Sequence, residues 1–176
     1  MQTASLIPYP APRLPAIEIT GTVSRQNNIL SIRYKVHGDA VNILLPTPSS
    51  PTRQHDLWKA SCFEFFIAIQ DQPQYWEFNI SPSGDWNVYA MDEYRQVNMR
   101  EESAFTQLPF EFRKTDSELS LDISVDLNSI ISTDQSLQIG ITTIIQTADG
   151  NETYWALAHP GKQADFHLRE SFAIVL

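Results

Sequence analysis

The sequence predicts an all-β fold: a single-domain antiparallel β-sandwich of jelly-roll-like type with about ten strands. Three observations carry this. Short runs of alternating apolar and polar residues recur along the chain, as in AIEITGTVS, LSIRYKV and ELSLDISVD. Turn chemistry separates them, as in RQNN, SPSGD and DGN. No apolar stripe of helical period extends over several turns. Side chains of a strand point alternately to its two faces, so period-two alternation marks a strand with one buried face. Many such strands with few helices imply two stacked sheets.

The elements follow in order. MQTASLIPYPAPRLP carries Pro8, Pro10, Pro12 and Pro15. Residues 1–15 are therefore expected as an extended, proline-rich segment lying over the surface or loose, with the sandwich spanning 16–176. The first hairpin sets Ile17 and Ile19 against Leu30, Ile32, Tyr34 and Val36. VNILL is expected as a short strand, closed by the loop PTPSSP. CFEFFIAIQ, YWEFNIS and WNVYAM are the next three strands, joined by DQPQ and SPSGD. Residues Asp92 to Gln107 have no clean period and are expected as a long loop. Phe110 to Lys114 and ELSLDISVD are strands, followed by one helical turn at DLNSIIS. LQIGITTIIQTA, ETYWALA and SFAIVL complete the set.

Composition bounds the function. A chain of 176 residues is long enough for one substantial core. Its net charge of -9 and the absence of any Lys/Arg run point away from nucleic acid and from anionic membranes. No secretory leader and no membrane-length apolar stretch is seen, so a cytoplasmic location is expected. The single cysteine, Cys62, forbids an intramolecular disulfide and a multi-thiolate zinc site. It lies in an apolar strand without a neighbouring His, which reads as core rather than nucleophile. No glycine-rich phosphate loop is present.

The middle strands have two unlike faces. Phe63, Phe65, Ile67, Trp76, Phe78, Ile80, Trp86 and Val88 form one, predicted to be core. A register pairing Ile80 with Phe65 and with Trp86, and Asn79 with Phe66 and with Asn87, keeps that set together. The other face carries Glu64, Phe66, Glu77, Asn79, Asn87 and Tyr89. It is either an ordinary solvated face or a binding face on which rings stack and carboxylates and amides orient a ligand. Glu64, alone in CFEFFIAI, favours the second, because a charge in such a run needs a partner. Glu64 and Glu77 as a hydrolytic acid pair is a weaker alternative. Near the end of the chain, HPGKQADFHLR gathers His159, Lys162, Asp165, His167 and Arg169. The spacing matches no standard metal site. It suits a loop held by backbone hydrogen bonds, or one that closes over the sandwich, anchored by Phe166, and offers polar contacts to a ligand.

Three segments, LWKASCFEFFI, YWEFNISPSGDWNVY and ALAHPGKQADFHLRESFAI, together resemble the DOMON-like domains, relatives of the family-nine-type carbohydrate-binding modules. The likeness spans the chain from about the first hairpin onward. It implies a non-catalytic β-sandwich that binds a small ligand, with carbohydrate leading. The contact residues it implies are Trp58, Glu64, Asn79 and Trp86. With the face and loop above, the candidate binding residues are Trp58, Glu64, Glu77, Asn79, Trp86, Asn87, Tyr89, His159, Lys162 and His167. The haem-binding relatives imply an alternative with Met91 or Met99 and His159 or His167 as axial ligands; otherwise no cofactor or metal is expected. A protein-interaction role is the further alternative.

Overall fold

The computed structural model describes residues 1–95 and 99–176. Twelve strands are present among them: β1 (Gln2–Pro8), β2 (Ile17–Gln26), β3 (Ile29–Gly38), β4 (Cys62–Ile69), β5 (Tyr75–Ile80), β6 (Trp86–Met91), β7 (Arg100–Glu101), β8 (Phe110–Lys114), β9 (Glu118–Asp126), β10 (Leu137–Gln146), β11 (Glu152–Ala156) and β12 (Ile174–Val175). The remaining regular elements described are 3₁₀ turns of three residues each. Every strand pairing is antiparallel. The strand order is β7-β6-β5-β4-β10-β11-β1-β2-β3-β9-β8, with β12 on β10.

This path is one continuous sheet that curls over itself. β1 is where it turns. Residues Gln2 to Leu6 pair with β2, and Ile7 and Pro8 pair with β11. The N-terminal stretch is thus extended, as its prolines imply, but its first half is a strand shared by both layers. The prolines stand at and after the strand end, where no ladder donor is needed. The two layers face each other through a single apolar core that includes Ile19, Leu30, Tyr34 and Leu121 from one side and Phe65, Phe78, Val88 and Ile139 from the other. Gly21 of β2 shows how close they come: a Cβ there would lie 2.9 Å from the Ile141 side chain of β10. The Tyr34 hydroxyl crosses the core and donates to the Glu64 carbonyl oxygen at 2.5 Å.

The predicted core face is the core face. Phe63, Phe65, Ile67, Phe78, Ile80, Trp86 and Val88 are all buried in it, and Trp76 packs against it. The β5–β6 register is the expected one, with Ile80 opposite Trp86 and Asn79 opposite Asn87. The β4–β5 register differs by two residues: Phe63 stands opposite Ile80 and Glu64 opposite Asn79. The connection is longer than DQPQ alone because Gln70 turns away to bond Ser136 backbone and Asp71 takes a positive φ of 62°. A two-residue shift preserves which face each side chain occupies, so the face assignment survives it.

Three local expectations change. VNILL is not a strand: Ala40–Asn42 forms a 3₁₀ turn, and Ile43 then makes one bridge to Thr147. Ala40 and Ile43, three apart, are buried while Val41 and Leu44 are exposed, which is the spacing of a turn rather than of a strand. SFAIVL keeps only Ile174 and Val175 as strand, because Phe172 is drawn to the opposite face of the layer. The loop Asp92 to Gln107 contains the short β7, and its residues 96–98 lie outside the described residues. No helix among the described residues is long and apolar enough to cross a membrane.

Candidate ligand-binding site

The second face of β4, β5 and β6 is not solvated. A smaller apolar cluster covers it, made of Phe66, Ala68, Tyr75, Tyr89, Met91, Ile144, Ala156, Phe166 and Phe172, with Trp58 and Tyr154 against it. The cover comes from two places. Trp58 sits in a 3₁₀ turn, Leu57–Lys59, just before β4. Phe166, His167 and Phe172 come from the C-terminal segment. Gly140 of β10 makes room for that segment: a Cβ there would lie 2.8 Å from the Phe172 ring. Phe172 stacks on Phe66 at 5.3 Å between centroids.

Cover and sheet do not meet everywhere. They leave a cavity of about 300 Å³, lined by Trp58, Glu64, Glu77, Arg95, Met99, Ile144, Tyr154, Ala164, Phe166 and His167. Alternation explains the sheet side. Glu64, Glu77, Ile144 and Tyr154 belong to four adjacent strands and share one face; Glu64 pairs with Thr142, and Ile144 with Tyr154. Trp58, Arg95, Met99 and Ala164 to His167 stand opposite on loops. Tyr89 backs the Trp58 ring edge-on at 6.1 Å.

The sheet side is polar where sheets are usually apolar. Glu64 is 2 % exposed and Glu77 4 %. Asn79, fully buried, donates to Glu77 Oε1 at 2.8 Å. Three buried acceptor atoms on this face have no hydrogen-bond partner among the described residues: Glu64 Oε1, Glu77 Oε2 and Asn79 Oδ1. Buried acceptors are nearly always satisfied, and leaving one bare costs about 1–3 kcal/mol. Burial raises both carboxyls: Glu77 is pushed up to about 7, and Glu64, which also feels the Glu77 charge, well above the ordinary carboxylate range.

His167 stands beside this pair. Its Nδ1 lies 2.9 Å from the Tyr75 hydroxyl, and its Nε2 lies 3.9 Å from Glu77 Oε2. Burial, and then the nearby Arg95 charge, lower its pKa to about 4. A ring accepting the Tyr75 proton at Nδ1 carries its own proton on Nε2, facing Glu77. The rim is latched by Asp165. It takes hydrogen bonds from Tyr94 Oη at 2.6 Å and Arg95 Nε at 3.1 Å, pairs with Arg95 Nη2 at 2.9 Å, and accepts the His167 backbone N–H.

Of the ten candidate residues, Trp58, Glu64, Glu77 and His167 line the cavity. Asn79 lies directly behind, holding Glu77. Asn87 and Tyr89 share the face but belong to an adjoining network. Asn87 bonds Arg53, the Gln54 carbonyl and Glu101, and Tyr89 bonds Asn87 and His55. Trp86 is in the main core beneath the Arg53 guanidinium, 4.5 Å from its ring centroid. His159 lies behind Phe166, with Nε2 3.0 Å from the Ile7 carbonyl oxygen and its ring against Tyr9. Lys162 is exposed and contributes its backbone carbonyl to Tyr9. Of the methionines, Met99 shares the cavity with His167, whereas Met91 is buried in the second cluster.

Sequence reasoning missed Arg95, Ile144, Tyr154 and Ala164, and named Met99 only as an axial ligand in the haem alternative. Tyr154 and Ile144 had a usable signal, since both alternate away from the core residues Trp155 and Ile145. Arg95 comes from the aperiodic loop, which offered none.

A solved structure shares this architecture. The chain is similar to a "putative carbohydrate-binding protein" from Bacteroides uniformis, with a TM-score of 0.61 and 13 % identity over 97 % of this chain and 83 % of that one. It is also similar to a family 9 carbohydrate-binding module from Caldicellulosiruptor kristjanssonii in complex with glucose, at a TM-score of 0.49 and 10 % identity, covering 82 % and 69 % of the two chains. The first likeness establishes the fold, a β-sandwich. No protein-family profile and no curated protein matches the sequence.

Proposed function

We propose that this chain is a non-catalytic, DOMON-like carbohydrate-binding domain, and that the cavity between Trp58, Glu64, Glu77 and His167 is its sugar site. One observation carries the proposal. Buried carboxyl oxygens without partners lie under aromatic rings in a cavity of ligand size. A sugar ring has apolar C–H faces for Trp58, Tyr154 and Phe166, and hydroxyl donors for Glu64 Oε1 and Glu77 Oε2. About 300 Å³ is the small end of ligand cavities, which suits one or two sugar units. The fold shared with that "putative carbohydrate-binding protein" supports the reading.

Haem fits these residues poorly. Met99 and His167 do share the cavity, but a porphyrin is a broad apolar disc. The space is small, and two buried carboxyls occupy its sheet side beside His167 Nε2. Catalysis is not part of the proposal either. Glu64 and Glu77 are diagonal neighbours on one sheet face, whereas glycoside cleavage places two carboxyls on either side of a scissile bond.

The test is a glycan-array screen followed by calorimetric titration of the best binder. Native protein is expected to bind with a 1:1 stoichiometry. Trp58→Ala is expected to weaken binding by about tenfold, or about 1.4 kcal/mol. Unchanged binding by both Trp58→Ala and Glu64→Gln would place the site elsewhere.

A further inference from the structure

The charges around the cavity do not balance for a neutral sugar. Glu64 and Glu77 line the cavity and are both nearly fully buried, and each has one oxygen without a partner among the described residues. The groups facing them from their own layer are Cys62, Tyr75, Tyr89 and Tyr154, all neutral acids. From the covering loops come Arg95, Asp165 and His167. Arg95 is committed to Asp165 through two of its nitrogens, so that pair is neutral as a unit. His167 is held by Tyr75 and stops 3.9 Å short of Glu77, beyond a hydrogen bond. Among the described residues, then, no cation is paired at hydrogen-bond distance with either buried carboxyl.

The hydroxyls of a neutral polyol can donate to the bare oxygens, but they bring no charge, so each carboxyl must then either keep a proton or bear a buried negative charge without compensation, the more expensive state. An ammonium group supplies up to three donors and the missing charge together. The rings around the carboxyls are also the surroundings a cation favours, since the faces of Trp, Tyr and Phe are negative. Trp58, Tyr154 and Phe166 line the same space. Diagonal positions on neighbouring strands bring Glu64 and Glu77 within reach of a single such group.

We therefore propose that the ligand is a cationic amino sugar, with its free amine seated between Glu64 and Glu77 and its ring against Trp58. This rests on the carbohydrate reading above and narrows it. The raised carboxyl affinities for protons describe the same deficit in the empty site: lacking a cation, the pair holds protons instead.

The experiment is calorimetric titration of the full chain at pH 7 with glucosamine, galactosamine and mannosamine, their parent hexoses and their N-acetyl forms. At least one free amino sugar is expected to bind tenfold or more tightly than its parent hexose. N-acetylation, which removes the charge but keeps the nitrogen, should abolish that preference. Glu64→Gln should collapse the ratio towards one. If amino sugar and hexose bind within twofold of each other, or the preference survives N-acetylation, the amine proposal is wrong and the carbohydrate reading stands. If none of these sugars binds and a neutral-glycan array is also blank, the carbohydrate reading fails and the amine proposal with it. The N-acetyl comparison uses native protein, so a poorly folding variant cannot obscure the result.

Discussion

Glu77 shows how one side chain can set a pH dependence. Its carboxyl is buried, held at Oε1 by Asn79, bare at Oε2, and pushed up to about 7. A group with a raised folded pKa binds protons more tightly folded than unfolded, so its contribution is favourable below the unfolded carboxylate range and is lost as pH rises through about 7. His167, pushed down to about 4, has the opposite sign: its contribution is present above the ordinary histidine range and is lost as pH falls towards 4. The two windows overlap, so the native profile alone does not separate them. The difference between Glu77→Gln and native does. That variant should be more stable than native at pH 8 by something on the order of 2–3 kcal/mol, with the gain fading towards pH 4.5, as read by urea unfolding. Glu64 was visible in the sequence because a lone acid in CFEFFIAI needs a partner, which favoured a binding face over a solvated one. Glu77 was visible through alternation. Their missing partners were not, because whether an acceptor is satisfied depends on loops that no period announces.

At the scale of elements, the C-terminal segment decides whether the second face is a surface or a site. Phe172 is 3 % exposed, stacked on Phe66 and seated over Gly140. Phe172→Ala should cost about 3 kcal/mol in chemical unfolding and weaken ligand binding, because the cover loses its anchor. Gly140→Ala should destabilise by about 1–3 kcal/mol through contact with that ring, and adding Phe172→Leu should recover part of the loss. The two faces of β4, β5 and β6 were legible from alternation alone, and a two-residue error in the β4–β5 register left them intact. That the polar face is covered was legible only in outline, from Phe166 beside two histidines. Trp86, an expected contact, belongs to the core because its parity matches Val88. His159 and Lys162 are held at the Tyr9 side of the segment, where the His159 ring meets the Ile7 carbonyl oxygen and the Lys162 backbone carbonyl accepts from the Tyr9 hydroxyl.

The whole molecule is one curled sheet, and β1 is the strand that joins its two layers. Proline content suggested an N-terminal stretch that is extended over the surface or loose; the ladder bonds of Gln2 to Pro8 were hidden because proline punctuation says where a strand stops, not whether one precedes it. Deleting residues 2–8 should expose the edges of β2 and β11, lower the unfolding midpoint and promote aggregation, measured by thermal scanning with light scattering. The layered design also explains how one domain holds two unlike interiors: an apolar core between the layers and a smaller, partly polar chamber between one layer and the chain's own end. That chamber is the proposed ligand site. Its most direct test is the tryptophan indole region of a two-dimensional NMR titration with the best glycan or amino sugar. Trp58 lines the chamber, whereas Trp76, Trp86 and Trp155 pack with the main core. Saturating ligand is expected to shift the Trp58 indole signal strongly and to leave the other three nearly in place. A titration in which Trp58 stays fixed while a core tryptophan moves, or in which no sugar moves any of them, would contradict that assignment.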